Sequence, residues 1–215
     1  MINEFGKRII SSLILIPIAI LFINQGSISF IFFLGLIFLL TNYEWFKMSR
    51  NNELIRIIGI FFLFFSFYTA FYLRENTFNY FILIIIVCIF TDIGGYIFGK
   101  IFKGPKLTKI SPKKTYNGVI GSFLISLIAG LIYLDFTNIR DILSKDHLKF
   151  FLLILFISFV SQLGDLVISY FKRKAKLKDT GMIIPGHGGV LDRIDGLIFA
   201  LPTSYVLISI LGSIK

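Results

Sequence analysis

The sequence predicts an all-α, polytopic integral membrane protein of about seven transmembrane helices. Three observations carry that prediction. Of 215 residues, 56% are hydrophobic and only 16% charged, where a soluble domain has about 45–50% and about 25%. Mean hydropathy is +0.84, so lipid must be the solvent for much of the surface. Finally, the apolar residues fall into runs near the length that spans a bilayer, about 20 residues each.

The runs are Ile9–Ile23, Ser27–Tyr43, Ile55–Leu73, Phe78–Phe98, Gly118–Phe136, Leu148–Tyr170 and Leu191–Gly212. Lys7 and Arg8 precede the first run as they would in a signal peptide. No small-residue cleavage site follows it, so a retained anchor is expected. Cys88, the one cysteine, lies within the fourth run and reads as a buried thiol. No internal repeat or low-complexity tail interrupts the pattern. The expected organisation is one membrane-embedded unit over residues 1–215, with N-terminal helices over 1–77 and the working helices and loops over 78–215.

Net charge is +10, which admits nucleic acid, anionic lipid or the positive-inside rule as explanations. Placement decides among them. Seventeen of the 22 Lys and Arg residues fall on one side of the seven-span arrangement, in the N-terminus, the loop after the second run and the long loops near 99–117 and 171–190. That side is cytoplasmic by the positive-inside rule. The charge then needs no nucleic acid.

Four acids sit within apolar segments, Asp92, Asp165, Asp192 and Asp195, each near the cytoplasmic end of its run. Acids at such depth are functional candidates by default. Asp192 and Asp195 share a helical face. Converging carboxylates repel unless a cation lies between them, and Mg²⁺ with phosphate oxygens in its shell is suited to that place. Internal ion pairs with Lys172, Arg173 or Arg193 are the other explanation, and sequence leaves both open.

The basic loops supply complementary chemistry. Ser111-Pro112-Lys113-Lys114-Thr115 places two ammonium groups beside two hydroxyls, as a triphosphate requires. A patch for anionic lipid headgroups explains the same residues. The other loop ends Pro185-Gly186-His187-Gly188-Gly189. Glycines there would leave backbone N–H groups open to an anion ahead of a helix N-terminus. A lone His in a loop is equally a solvated one. The sequence has no Walker loop, zinc-type Cys/His spacing or serine-nucleophile elbow.

The stretch from Ser169 through Lys172-Arg173, Gly181, Pro185-Gly186-His187-Gly188-Gly189 to Asp192-Arg193-Ile194-Asp195 resembles, without a gap, the signature of phosphatidate cytidylyltransferases (CDP-diacylglycerol synthases). Asp165, the Ser111–Thr115 element, Asp92 with Tyr96 and Gly99, and Glu44-Trp45 are similar to further family elements. Departures are Tyr116 for the usual Trp, Asn117 for Glu and Gly95 for Ala. Only one span lies between Trp45 and Asn79 where three are expected.

The resemblance implies an enzyme with cytoplasmic catalytic loops in a bacterial inner membrane. Its substrates would be CTP and phosphatidic acid, with membrane lipids as neighbours, no nucleic acid, and a homodimer as one assembly. It implies Asp165, Asp192 and Asp195 as ligands of Mg²⁺, with room for a second cation, and Lys172, Arg173 and Arg193 as phosphate contacts. Lys113 and Lys114, beside Ser111 and Thr115, would draw in the triphosphate. His187, Gly188 and Gly189 would shape the nucleotide pocket, and Asp92 would stand nearby without an assigned role. A transporter is disfavoured by the one-sided placement of acids and basic loops. Among other lipid enzymes, CDP-alcohol phosphotransferases need an aspartate pair that is missing, while dolichol-kinase-like CTP users are harder to separate.

Reporter fusions at Lys215 and in the 99–117 loop should read opposite sides of the membrane, the loop cytoplasmic. Two cytoplasmic readings would mean that the span count is wrong by an odd number.

Overall fold

The computed structural model describes residues 4–108, 110–137 and 147–210. Lys109, Arg140, Lys145 and Lys215, which entered the charge count, lie outside the described residues, as does most of the 137–147 connection.

The described chain is helical, with two isolated bridges in its loops. In order come α1 (Glu4–Gln25), α2 (Ser27–Met48), α3 (Glu53–Asn76), α4 (Phe78–Ile101), α5 (Tyr116–Phe136), α6 (His147–Lys174), α7 (Leu191–Ile194) and α8 (Leu197–Ile210). Helices α1–α6 are long and apolar enough to cross a membrane. The chain is therefore a multi-pass membrane protein. The expected seventh span is broken near its start: Asp195 and Gly196 separate α7 from α8, which runs Leu197–Ile210 within the described residues. Composition over 191–212 could not reveal that break, because apolar residues continue past it. A single helix, α3, occupies the region between Trp45 and Asn79, as read from sequence.

Local chemistry sets several boundaries. Asn52 caps α3, its side chain accepting from Ile55 N at 3.0 Å. Thr115 caps α5 in the same way, with Gly118 N at 3.1 Å, which satisfies an amide that the helix itself leaves unpaired. Between α1 and α2 the chain turns through Gly26 at φ 64° and Ser27 at φ 51°. Arg74 of α3 reaches into this turn and donates to the carbonyls of Ile23 and Asn24.

Two buried apolar clusters hold the bundle. One gathers Leu73, Leu83, Leu134, Ile154 and Ile208. The other, nearer the polar loops, contains Trp45, Leu63, Ile168, Leu191 and Ile198. Large side chains such as Phe32, Phe61 and Phe136 point outward, as a lipid-facing surface requires.

Helices α4 and α5 pack most closely, because glycine lines their seam. A Cβ on Gly94 would stand 2.4 Å from the carbonyl oxygen of Gly121, and one on Gly118 would stand 2.9 Å from that of Gly95. Small residues at such a crossing let backbones approach where lipid gives no hydrophobic drive for association. Ser122 Oγ donates to Thr91 O at 2.7 Å, and Thr91 Oγ1 donates to Ser158 Oγ of α6 at 2.8 Å. Thus three helices are registered just beneath Asp92.

Gly94→Ala should force the α4–α5 seam apart and cost about 2 kcal/mol, read as a lower melting temperature in detergent. Gly35→Ala, where an added Cβ meets nothing within 4 Å, should leave melting unchanged or slightly raised. Equal melting of the two variants would contradict this account of the seam.

Candidate active site

A cavity of about 380 Å³ opens among the polar ends of α4, α5 and α6. Helix α4 contributes Thr91, Asp92 and Tyr96; the loop after it contributes Ser111, Lys113, Lys114 and Thr115. Helix α6 contributes Gln162, Asp165 and Lys172, and the chain beyond it Asp179, Asp192, Arg193 and Asp195. The four aspartates singled out in the sequence therefore meet at one place with the lysine loop.

Their carboxylates do different things. Asp165, Ser169 and Lys172 follow one face of α6 at spacings of four and three. Asp165 forms an ion pair with Lys114 and accepts from Ser169 Oγ at 3.1 Å. Asp192 is committed on both oxygens. Its Oδ1 accepts from Lys172 Nζ at 2.7 Å, and its Oδ2 accepts from Thr180 N at 2.8 Å, Thr180 Oγ1 at 3.0 Å and Gly189 N at 3.0 Å. The Lys172–Asp192 pair is buried, with side-chain exposures of 10% and 6%. By contrast, Asp92 and Asp195 form no ion pair among the described residues. Asp195 Oδ1 accepts only the amide of Gly196, at 2.9 Å.

The expected ligand set of Asp165, Asp192 and Asp195 is thus divided. Asp192 organises the loop, Asp165 holds a lysine, and Asp195 faces the cavity without a cation. Among the described residues, no three acidic, His or Cys side chains form a group that could hold a metal ion. Asp165 and Asp192 are ion-paired to lysines, whereas Asp195 and Asp92 turn carboxylates to the cavity without an ion pair among the described residues.

The loop glycines also differ from expectation. Their value was to leave amides open for an anion, yet the amide of Gly189 and the two that follow it are occupied. Gly189 N goes to Asp192, and Val190 N and Leu191 N go to Glu44 at 2.9 and 2.8 Å. The protein's own carboxylates fill the place an external anion would take. Gly188 has φ 90°, a backbone state that favours glycine. His187, Gly188, Gly189 and Arg173 do not line the cavity. Arg173 is exposed and donates to Leu177 O. His187 turns to α1, its ring nitrogens 2.7 and 3.3 Å from Ser11 Oγ and Ser12 Oγ. Burial, followed by the Arg193 and Arg8 cations, pulls its imidazole below the usual range. Arg8 fastens the same loop by donating to Gly186 O at 2.8 Å.

Residues 53–211 match the model of the Cytidylyltransferase family. The chain belongs to that family. The phosphatidate cytidylyltransferase of Rickettsia bellii (strain RML369-C) is 34% identical over 210 residues, covering 93% of this chain and 89% of that protein. The enzyme of the same name from Rickettsia typhi (strain ATCC VR-144 / Wilmington) is 34% identical over 203 residues, covering 92% and 89%. That from Staphylococcus haemolyticus (strain JCSC1435) is 39% identical over 158 residues, covering 72% of this chain but 56% of its own length. The Cytidylyltransferase match begins at residue 53, so α1 and α2 lie outside it although both touch the loop beside the cavity.

Sequence reasoning marked Glu44-Trp45 as a family-like element but gave no role to Glu44, Thr180 or the α1 contacts. Glu44 carried a usable signal, being an acid at the end of an apolar run like the four aspartates. Thr180 and Ser11 carried none, since a hydroxyl has no distinctive pattern.

Asp192→Asn should destabilise the protein by about 3–5 kcal/mol, because it strands Lys172 in a buried position. Asp195→Asn, which breaks no ion pair, should melt within about 1–2 °C of wild type. Thermal melts of both variants in detergent check this, and a normally melting Asp192→Asn would refute the structural role of the pair.

Proposed function

We propose that this chain transfers the cytidylyl group of CTP to the phosphate of phosphatidic acid, giving CDP-diacylglycerol and pyrophosphate. The observation that carries the reading is the meeting of the Ser111–Thr115 lysine loop with Asp92 and Asp195 in one cavity. The names of the relatives agree with it and give no support to a transporter or another CTP-linked lipid enzyme.

In the reaction an oxygen of the phosphatidate phosphate forms a bond to the α-phosphorus of CTP. The bond from that phosphorus to the bridging oxygen of the β-phosphate breaks, and its electron pair leaves with pyrophosphate. The attacking phosphate is already an anion, so no general base is required. Catalysis is then positioning and charge neutralisation. Lys113 and Arg193 line the cavity without a carboxylate partner among the described residues, Arg193 being held by the His187 carbonyl, and would meet the β- and γ-phosphates. Lys114 is fixed at the same wall by Asp165. Thr115 is used twice, as a cavity residue and as the cap of α5. Lys172, its charge answered by Asp192, holds the loop that carries Arg193 at the cavity wall.

The donor set fits Mg²⁺ if the ion arrives with the triphosphate. Mg²⁺ takes one or two carboxylates and fills its shell with phosphate oxygens and water. Asp195 and Asp92 are the carboxylates that remain for it, with Asp165 beside them. Bound there, it would supply charge to the transferring phosphoryl group. The lopsided distribution of basic residues supports placing the cavity at the cytoplasmic face of a bacterial inner membrane, where CTP is present.

Purified protein with labelled CTP or dCTP, phosphatidate and Mg²⁺ should form CDP-diacylglycerol and should stop in EDTA. Full turnover in EDTA would remove the metal from the scheme. Preference for ATP, or label transfer only to lipid alcohols, would overturn the choice of substrates.

A further inference from the structure

We propose that Glu44, on α2 and outside the segment matched to the family, is the positioning residue that sets the 180–195 segment over the cavity. The proposal rests on the reading of that cavity as the site of cytidylyl transfer.

Glu44 is fully buried, with 0% exposure. It makes no ion pair among the described residues, and its partners come from a segment more than 130 residues away. Oε1 accepts from Val190 N at 2.9 Å; Oε2 accepts from Leu191 N at 2.8 Å and from Thr180 Oγ1 at 2.7 Å. A carboxylate buried without a cation is a costly way to hold a bundle together, since apolar residues of similar volume do so as well or better. What it provides instead is direction. Two consecutive amides at the start of α7 are aimed at one carboxylate, which fixes both the place and the rotation of that turn.

The neighbouring glycines support the assignment independently. A Cβ on Gly189 would stand 2.4 Å from Glu44 Oε2, and one on Gly181 would stand 2.7 Å from Oε1. The loop closes around the carboxylate so tightly that no side chain fits on either flank.

The connection to the cavity is direct. The Thr180 hydroxyl lies 2.7 Å from Glu44 Oε2 and 3.0 Å from Asp192 Oδ2, so the two carboxylates share one hydroxyl. Asp192 in turn holds Lys172. Asp195 follows one turn beyond the clamped amides, so its approach to substrate depends on how α7 is held. Displacing a reacting group by about 1 Å can cost roughly a hundredfold in rate.

Glu44→Gln keeps the volume but turns an NH2 toward a donor. In the full-length protein kcat should fall about a hundredfold, while KM for CTP rises no more than severalfold, because Lys113 and Lys114 sit on the other loop and, of the cavity residues, only Asp192, Arg193 and Asp195 move with the segment. Thr180→Val should lower kcat about tenfold, with KM little changed. The double variant should fall no further than Glu44→Gln alone, since both changes cut one linkage. Multiplying losses in the double variant would overturn the proposal, as would a kcat that falls only with the folded fraction, or a rise in KM at constant kcat. If Glu44→Gln does not fold, Thr180→Val decides: a lower kcat at constant KM supports the linkage and a wild-type kcat refutes it. Wild-type protein that fails to join CTP to phosphatidate would overturn the underlying reading and this one with it, whereas an active wild type with an equally active Glu44→Gln would overturn this one alone.

Discussion

In hydrocarbon a polar group has no water to fall back on, so a charge buried in a membrane bundle is costly unless it is answered from within the chain. The buried pair between Lys172 and Asp192 meets that demand for two charges at once. It joins the end of α6 to the loop and short helix that follow. The second oxygen of Asp192 then collects Thr180 and Gly189, so one side chain closes the loop on itself. Remove the pair, and the cavity loses both its floor and the orientation of Asp195. The glycine seam between α4 and α5 supplies the opposite wall, carrying Asp92 on one helix and the Thr115-capped start of the other.

Much of this was legible in the sequence. Six of the expected spans have helices at nearly the stated positions, since twenty apolar residues in lipid have few alternatives to a helix. The convergence of Asp92, Asp165, Asp192 and Asp195 with Lys113 and Lys114 also followed, because acids at one depth beside basic loops have few other places to go. What each carboxylate binds was not legible. Spacing along a chain says that Asp192 and Asp195 are neighbours; it does not say that one turns inward to Lys172 and the other toward the cavity. The interrupted last helix was hidden for a related reason, since Asp195-Gly196 is only two residues in an apolar background.

The loop glycines show a second use for room beside the backbone. Gly188 and Gly189 stood out because they leave room beside the backbone. At Gly189 the room is used by Glu44 and Thr180, and the amides go to carboxylates of the protein itself. His187 likewise belongs to the loop's attachment to α1. Sequence identified a segment where the backbone is closely approached, but an intramolecular partner leaves the same trace as a ligand.

The grip of α2 on that segment also bears on where the chain can be cut. The family model's match starts at residue 53, and a fragment begun there would contain every cavity residue named above. It would nevertheless lack the acceptor for Val190 N and Leu191 N and leave an empty slot between Gly181 and Gly189. The same holds for a hybrid whose first two helices come from a relative: unless that donor offers an acid at the matching height, the transplanted half and the resident loop will not mate. The unit that can be moved between proteins is therefore larger than the stretch the family model matches.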